Sequence, residues 1–187
     1  IASAAVQIQD AEEELSATAT LEHGAISIST TETALNIYLS EKLRAFHTEY
    51  PGIRLRISNH STPQAVQAVR NGEVDFAIVT TPAEVENGLK MVELMTFYEV
   101  LVGGKTFTAL ASQMLTLVKS ELGLAFMPEP MAAPLLASGE LVQLHLQEII
   151  PSRSICLVYD HHRPLNTAAR KFQQLLTKAG TRSAERK

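Results

Sequence analysis

Residues 53–79, IRLRISNHSTPQAVQAVRNGEVDFAIV, decide the fold of this chain because they predict a strand, a helix and a second strand in succession. Ile53, Leu55 and Ile57 alternate with arginines, which is typical of a strand with one drier face. Ala65, Val66 and Val69 then predict a short helix that ends at Gly72. The nearly continuous apolar run VDFAIV, residues 74–79, is typical of a central strand covered on both faces. This order predicts an α/β fold with right-handed crossovers and a parallel sheet.

The same alternation extends outward on both sides of this stretch. Upstream, Ala25–Ser29 is a β-rich run, and apolar residues at helical spacing follow from Leu35 to Tyr50, where Pro51 ends the helix. Downstream, strands are predicted at 89–95, 98–102, 124–127, 141–146 and 155–159, and helices at 114–122 and 164–179.

The first 22 residues predict a helix of their own. Ala4, Ile8, Ala11 and Leu15 form a narrow apolar stripe beside the charged run Glu12–Glu14. A surface helix packed on its own domain and a helix that pairs with a partner both fit this pattern. The pattern breaks near His23 and Gly24, which predicts a boundary between a linker helix and the domain.

Composition narrows the class of protein. Hydrophobic residues make up 45% and charged residues 19% of the 187 residues, as expected of a globular chain. No stretch approaches the roughly 18 apolar residues of a membrane span, and the start lacks the pattern of a secretory signal. The single cysteine is compatible with a reducing compartment, so we expect a cytoplasmic protein without membrane contact. The net charge of −4 excludes strong attraction to DNA phosphates by this chain itself.

Four phrases, in this order, resemble the effector-binding domain of LysR-type transcriptional regulators: ISISTTETALNIYLSEKLRAFHTEYPGIRLRI (26–57), QAVRNGEVDFAIV (67–79), LVKSELGLAFMPE (117–129) and ICLVYDHHRPLNTAARKFQQLL (155–176). The resemblance covers nearly the whole chain and implies a two-lobed, type 2 periplasmic-binding-protein-like fold that binds a small-molecule effector without transforming it. It further implies a linker helix at 1–22, a first lobe at 24–104, and a remnant of the second lobe with the return to the first lobe at 105–187.

The resemblance also implies partners. Operator DNA would be contacted through an N-terminal winged helix-turn-helix that is absent from this sequence. A homodimer, or a tetramer built from dimers, is expected, with Ala34 to Tyr50 near the interface. A solute-binding protein of a transporter shares the general architecture and is the alternative; the linker-like first helix and the missing signal peptide count against it.

One departure from the family pattern lies between Gly104 and Met114. There VLVGGKTFTALASQ runs almost directly into MLTLVKSELGLAF, without the strand, loop, helix and strand expected of the second lobe. A stretch on the order of fifty residues is missing for such a crossover. Either this sequence joins residues that flank a disordered segment, or the segment is deleted, and the first explanation is favoured. It predicts a Cα–Cα step well above 3.8 Å at the junction.

Hydroxyl side chains follow the first predicted strand, at the end where ligands bind in open parallel sheets. Ser29, Thr30, Thr31 and Thr33 open the first helix and are effector-binding candidates, as the resemblance also implies. Helix capping is the alternative, because Ser29 and Glu32 fit a capping box. The Glu32 carboxylate would repel an anion at close range, which favours a weakly charged or zwitterionic effector.

Similar candidates follow the second and third strands. Ser61 and Thr62 come after the second strand, and Thr80 and Thr81 come after the VDFAIV strand. Helix capping is the alternative explanation for Ser61 and Thr62. For Thr80 and Thr81 the alternative is that they simply end the strand. Phe126 and Met127 are candidates for an apolar wall of the cleft, with an ordinary core position as the alternative.

The sequence shows no motif that indicates catalysis or cofactor binding. Asp160, His161 and His162 lie between a strand and a helix without a second ligand cluster, which indicates a solvated loop rather than a metal site. Cys156 lies in an apolar strand and predicts a buried, inert thiol. Nucleophile-elbow, Walker and dinucleotide-binding motifs do not occur. We therefore predict a binding domain that is not an enzyme and takes no cofactor or metal.

Overall fold

The structure, a computed structural model, describes residues 24–85, 88–104 and 124–184, with side chains up to residue 177 in the last helix. The strands are β1 (Gly24–Thr30), β2 (Ile53–Asn59), β3 (Phe76–Thr80), β4 (Leu89–Phe97), β5 (Glu99–Gly103), β6 (Leu124–Pro128), β7 (Val142–Leu144) and β8 (Arg153–Asp160). The predicted linker helix, the helix at 114–122 and the junction between Gly104 and Met114 lie outside the described residues, so those predictions stay open.

Four helices are described, and the first, second and fourth lie where helices were predicted. Helix α1 comprises a short α-helical start (Glu32–Ala34), a π-helical segment (Leu35–Leu39) and a longer α-helical stretch (Ser40–Glu49). It is followed by α2 (Thr62–Asn71), α3 (Glu129–Ala137) and α4 (Thr167–Ala184).

The larger sheet has the strand order β2-β1-β3-β8-β4. β1 is parallel to both β2 and β3, which confirms the parallel unit predicted from residues 53–79. β8 is antiparallel to β3 and to β4, so the sheet is mixed rather than purely parallel. The reason is the path of the chain. β4 leads out of this sheet into the second one, and β8 returns between β3 and β4, starting at the end of the sheet where β4 finished.

The larger sheet is covered on both faces. Phe76 and Ile78 of β3 pack into a cluster with side chains of α1 and α4, among them Phe46 and Phe172. Ala77 and Val79 point to the opposite face and pack with Ala65 and Val69 of α2. Successive residues of β3 thus serve two cores, which explains why its sequence shows no polar alternation. Burial of each large side chain contributes about 1.5–3 kcal/mol.

Local contacts determine where the helices begin and end. The side chain of Thr31 caps α1 by accepting from the Ala34 N–H at 3.3 Å. The capping box predicted with Ser29 is therefore wrong: Ser29 is the sixth residue of β1, two positions before the cap. Ser61 caps α2, with its N–H donating to Gln64 Oε1 at 3.1 Å, and Gly72 ends α2 in the left-handed conformation at φ 74°.

A smaller antiparallel sheet, with the order β6-β5-β7, forms the second unit. Its core contains Val102, Ala125, Met127 and residues of α3. The pattern of residues 128–140 did not predict α3, because its prolines indicate a break. In the structure Pro130 lies in the first turn, where a missing N–H costs nothing, and Pro134 lies inside the helix.

The terminal helix begins later than predicted. It starts at Thr167 rather than at Pro164, because the Asn166 side chain accepts from the Ala169 N–H at 2.8 Å and acts as the cap. Ala168, Ala169, Phe172 and Leu176 are buried, whereas Leu165 and Leu175 are only partly covered.

Candidate functional site

The carboxyl ends of β1, β2 and β3 meet at one edge of the larger sheet. Thr30 pairs with Asn59 on one side and with Ile78 on the other, so the turns that follow the three strands lie side by side. The starting end of β8 lies at the same edge, where Ile155 pairs with Thr80. The turns that carry the candidate site residues therefore lie at one end of the sheet.

The hydroxyls at the end of β1 and in the turn after it form hydrogen bonds that hold this edge together. Ser29 is buried and its Oγ lies 2.9 Å from His60 Nδ1. Thr30 is buried and donates to the Ile78 carbonyl at 3.0 Å. Thr31 caps α1, and Thr33 is half-buried in the first turn. The hydroxyls of Ser29, Thr30 and Thr31 thus all have partners within this edge and support the neighbouring turns.

The second and third turns are joined directly. Thr62 donates from Oγ1 to the Thr80 carbonyl at 3.1 Å. Thr81 is tied to β8, because its N–H donates to the Ser154 carbonyl at 2.9 Å and its Oγ1 accepts from the Ser154 N–H at 2.8 Å. Ser61 is exposed at the cap of α2. These bonds place the β3 exit against the start of β8.

An open cavity of ≈ 660 Å³ lies where this edge meets the second sheet. Of the predicted site residues it brings together Thr81, from the β3 exit, and Phe126, from β6. Met127 points away from the cavity into the core of the second sheet, because neighbouring residues of a strand face opposite sides. The size of the cavity falls within the range of small-molecule sites.

Arg153 is the central charged residue of this cavity. Its Nε donates to the Thr81 carbonyl at 2.7 Å, Nη1 donates to Glu99 Oε1 at 2.9 Å, and Nη2 donates to Thr80 Oγ1 at 3.2 Å. It thus joins the larger sheet to Glu99, the first residue of the second sheet. The guanidinium also lies 5.9 Å from the centre of the Phe97 ring, within range of a cation–π contact.

The sequence analysis missed Arg153, although one signal was available. Arg153 is the first residue of β8 and lies two positions before the apolar run that starts at Ile155. Its place at the edge that carries the candidate residues depends on the antiparallel course of β8, which local spacing does not reveal.

A second cavity of ≈ 450 Å³ lies beside α2. Thr62, Pro63 and Val66 form one side and Pro82 and Leu89 the other. Pro82 also lines the larger cavity, so the segment after β3 separates the two spaces.

The residues that were considered as metal ligands, at the end of β8 and in the loop after it, form hydrogen bonds. His161 Nδ1 lies 2.8 Å from the Gly88 carbonyl, and Asp160 Oδ1 accepts from the His162 N–H at 2.9 Å. Within the described part of the chain no group of three or more His, Cys, Asp or Glu side chains is arranged to hold a metal ion. Burial, with a smaller effect of the Glu93 carboxylate, raises the pKa of the Cys156 thiol to about 11.

The LysR substrate binding domain family model matches residues 19–110 and 106–181. The chain belongs to this family. This confirms the resemblance stated above and identifies the chain as a LysR effector-sensing domain rather than the solute-binding protein of a transporter. Membership of this family suggests a binding rather than a catalytic domain. No protein of curated function matches the sequence.

Solved structures share the fold of this LysR substrate binding domain. The effector binding domain of QuiR in complex with shikimate is 16% identical with a TM-score of 0.68, over 86% of this chain and 98% of that chain. The cofactor-binding domain of the Cbl transcriptional regulator is 15% identical with a TM-score of 0.71, over 87% and 93%. The bromide-bound regulatory domain of HypT from Salmonella typhimurium is 12% identical with a TM-score of 0.71, over 84% and 96%. The predicted type 2 periplasmic-binding-protein-like fold is thereby confirmed.

No helix among the described residues is long and apolar enough to cross a membrane.

Proposed function

We propose that this LysR substrate binding domain senses a small-molecule effector in the cavity between its two sheets and does not transform it. The observation that carries the proposal is the ≈ 660 Å³ cavity lined by Thr81, Phe126 and Arg153, since it joins residues of both sheets at the ligand-binding edge. The QuiR domain with bound shikimate supports a small-molecule role for this fold.

Among the predicted site residues, Thr81 and Phe126 are proposed to contact the effector, together with Arg153. Ser29, Thr30, Thr31, Thr62 and Thr80 are proposed to act indirectly, because their hydrogen bonds hold the turns that shape the edge. Thr33 and Ser61, at the starts of α1 and α2, are proposed as peripheral contacts.

The effector acts by changing how the two sheets sit relative to each other. Arg153 joins Glu99 of the second sheet to the Thr80–Thr81 turn of the first, so a ligand in this cavity touches the connection between them. A ligand can shift such an equilibrium only by its difference in affinity for the two forms. The regulator's response is therefore set by contacts that exist in one arrangement and not in the other.

The proposal also covers how the sensor is connected to the rest of the regulator. A linker helix at 1–22 connects the sensor to an operator-binding domain outside this sequence, in a cytoplasmic homodimer or tetramer with Ala34 to Tyr50 near the interface. Residues 24–104 form the first lobe, and residues 105–187 form the second-lobe remnant and the return. The family match begins at residue 19 and occurs in two stretches that overlap at 106–110, which supports both the linker boundary and an interruption near Gly104–Met114.

A thermal-shift screen of small metabolites on this domain tests the proposal. An effector present at a concentration of a hundred times its Kd adds about 2.7 kcal/mol to the free energy of unfolding and raises Tm by several degrees. Phe126→Ala should weaken the effect of the same compound, because Phe126 lines the cavity and is 52% exposed. Met91→Ala, an exposed apolar residue of β4, is the matched control and should respond like the wild type. A screen without any stabilising compound, or a compound indifferent to Phe126→Ala, would contradict the proposed site.

A further inference from the structure

The charge balance of the cavity indicates what kind of effector it accepts. Among its described lining residues, two carboxylates, Glu99 and Glu148, accompany one guanidinium, that of Arg153. Arg153 and Glu99 form an ion pair at 2.9 Å and neutralise each other. Glu148 is left over, so these residues give the cavity one net negative charge.

The apolar lining is unusually exposed for side chains of its size. Ile149 is 94% exposed, Phe126 52% and Leu146 40%, and all three line the same cavity. Grouped large apolar side chains left in water mark binding surfaces. A cavity lined by both an aromatic ring, Phe126, and a carboxylate, Glu148, also suits an organic cation, because the ring quadrupole attracts positive charge.

An anionic ligand fits these residues less well. Three N–H groups of Arg153 are already donated, to Thr81, Thr80 and Glu99. A ligand carboxylate would have to displace Glu99 or share the guanidinium with it, while lying in the same cavity as Glu148. Repulsion between like charges disfavours both arrangements.

We propose that the effector is an organic cation, with an apolar body that packs on Phe126 and Leu146 and a protonated amine that compensates Glu148. Glu148 is then the residue that determines specificity for charge. The inference rests on the proposed function, because it concerns the same cavity and names the chemical class of its ligand.

Three probes of one skeleton test the inference by calorimetry on the purified domain: 2-phenylethylamine, 2-phenylethanol and phenylacetate. The amine should bind on the order of tenfold more tightly than the alcohol, and phenylacetate most weakly. Glu148→Gln should raise the Kd of the amine to that of the alcohol while leaving the alcohol unchanged. Glu84→Gln removes an exposed carboxylate that lines the second cavity and should preserve the preference.

Tighter binding of phenylacetate, equal binding of the three probes, no binding of any probe, or a preference that survives Glu148→Gln would each overturn the inference. The proposed function is contradicted by a different result. It is lost only if the metabolite screen finds no ligand, or finds one whose binding does not depend on Phe126.

Discussion

At the scale of single residues, Arg153 connects more of the site than any predicted residue does. One side chain bonds a carbonyl, a hydroxyl and a carboxylate that belong to two sheets. Its planar guanidinium allows this, because its donors point in fixed and different directions. A lysine in its place would present a single point charge.

We expect Arg153→Ala to lower the free energy of unfolding by about 2–3 kcal/mol, since it removes an ion pair and two further hydrogen bonds from partly buried partners. Arg153→Lys should recover only part of the loss. Urea unfolding measures both. Arg54→Ala, an exposed arginine of β2, should be nearly neutral, and an equally small effect at position 153 would refute a connecting role.

Cys156 should be an unreactive thiol in the folded domain. Its side chain is buried and its pKa is raised to about 11, so only about one molecule in a thousand carries the thiolate at pH 8. Reaction with a disulfide reagent at pH 8 should be slow in native buffer and fast in a urea concentration that unfolds the domain. Because the sequence has one cysteine, the signal is unambiguous. Rapid labelling of the native protein would contradict this environment.

Tyr38 should make stability depend on alkaline pH. Burial raises its pKa to about 12, and its hydroxyl donates to the Leu176 carbonyl at 3.0 Å. The unfolded chain releases this proton near pH 10, so the contribution is fully present below pH 10 and is lost as pH rises toward 12. Tyr38→Phe should cost about 1 kcal/mol at neutral pH and flatten the alkaline decline. Denaturant melts between pH 8 and about 11 measure it. Tyr98→Phe, at an exposed tyrosine, should follow the wild-type curve.

At the scale of elements, the ends of helices decide how the layers fit. Gly72 has φ 74°, and a Cβ at this position would lie 2.3 Å from Nη1 of Arg163, which lies against the end of α2. The left-handed backbone conformation favours glycine here, and a Cβ would in addition displace the guanidinium end of Arg163.

Gly72→Ala and Gly139→Ala separate these two causes. Gly139 also has a left-handed φ, of 75°, but none of the described residues comes within 4 Å of the place that a Cβ would take there. We expect Gly139→Ala to cost about 1 kcal/mol from backbone strain alone. Gly72→Ala should cost more, and Arg163→Ala should restore only the excess. Equal losses at the two glycines, measured by thermal or urea unfolding, would show that Arg163 adjusts without cost.

At the scale of the whole molecule, the chain passes between the two sheets where β4 leads to β5 and where it returns to β8. The cavity lies where the two sheets meet, so a ligand bound there would contact residues of both sheets. The described surface also leaves Ala45 of α1 exposed, within the segment proposed for the interface.

We expect light scattering coupled to gel filtration to show a dimer, or a tetramer, at high concentration. Ala45→Arg should shift the population toward monomer, because a long charged side chain would be buried at the proposed interface. Gln67→Arg places the same side chain on an exposed position of α2, on the opposite face of the larger sheet from α1, and should leave the assembly unchanged. A wild-type domain that remains monomeric would contradict the interface.

The sequence by itself determined the local elements and their order. The alternation of Ile53, Leu55 and Ile57, the spacing of Ala65 and Val69, and Gly72 all act between near neighbours, so strand, helix and helix end were predictable. Helix α3 was missed because prolines there indicate a break, whereas packing against the second sheet tolerates Pro134.

Only the tertiary structure decided which side chains reach the cavity. The hydroxyls of Thr30 and Thr31 follow the expected strand, yet they are used in holding it. Arg153 reaches the site because β8 returns antiparallel across some seventy positions of sequence, pairing with Thr80 and its neighbours. Such pairing depends on long-range contacts whose free energy is summed over the whole core, and no local spacing encodes it.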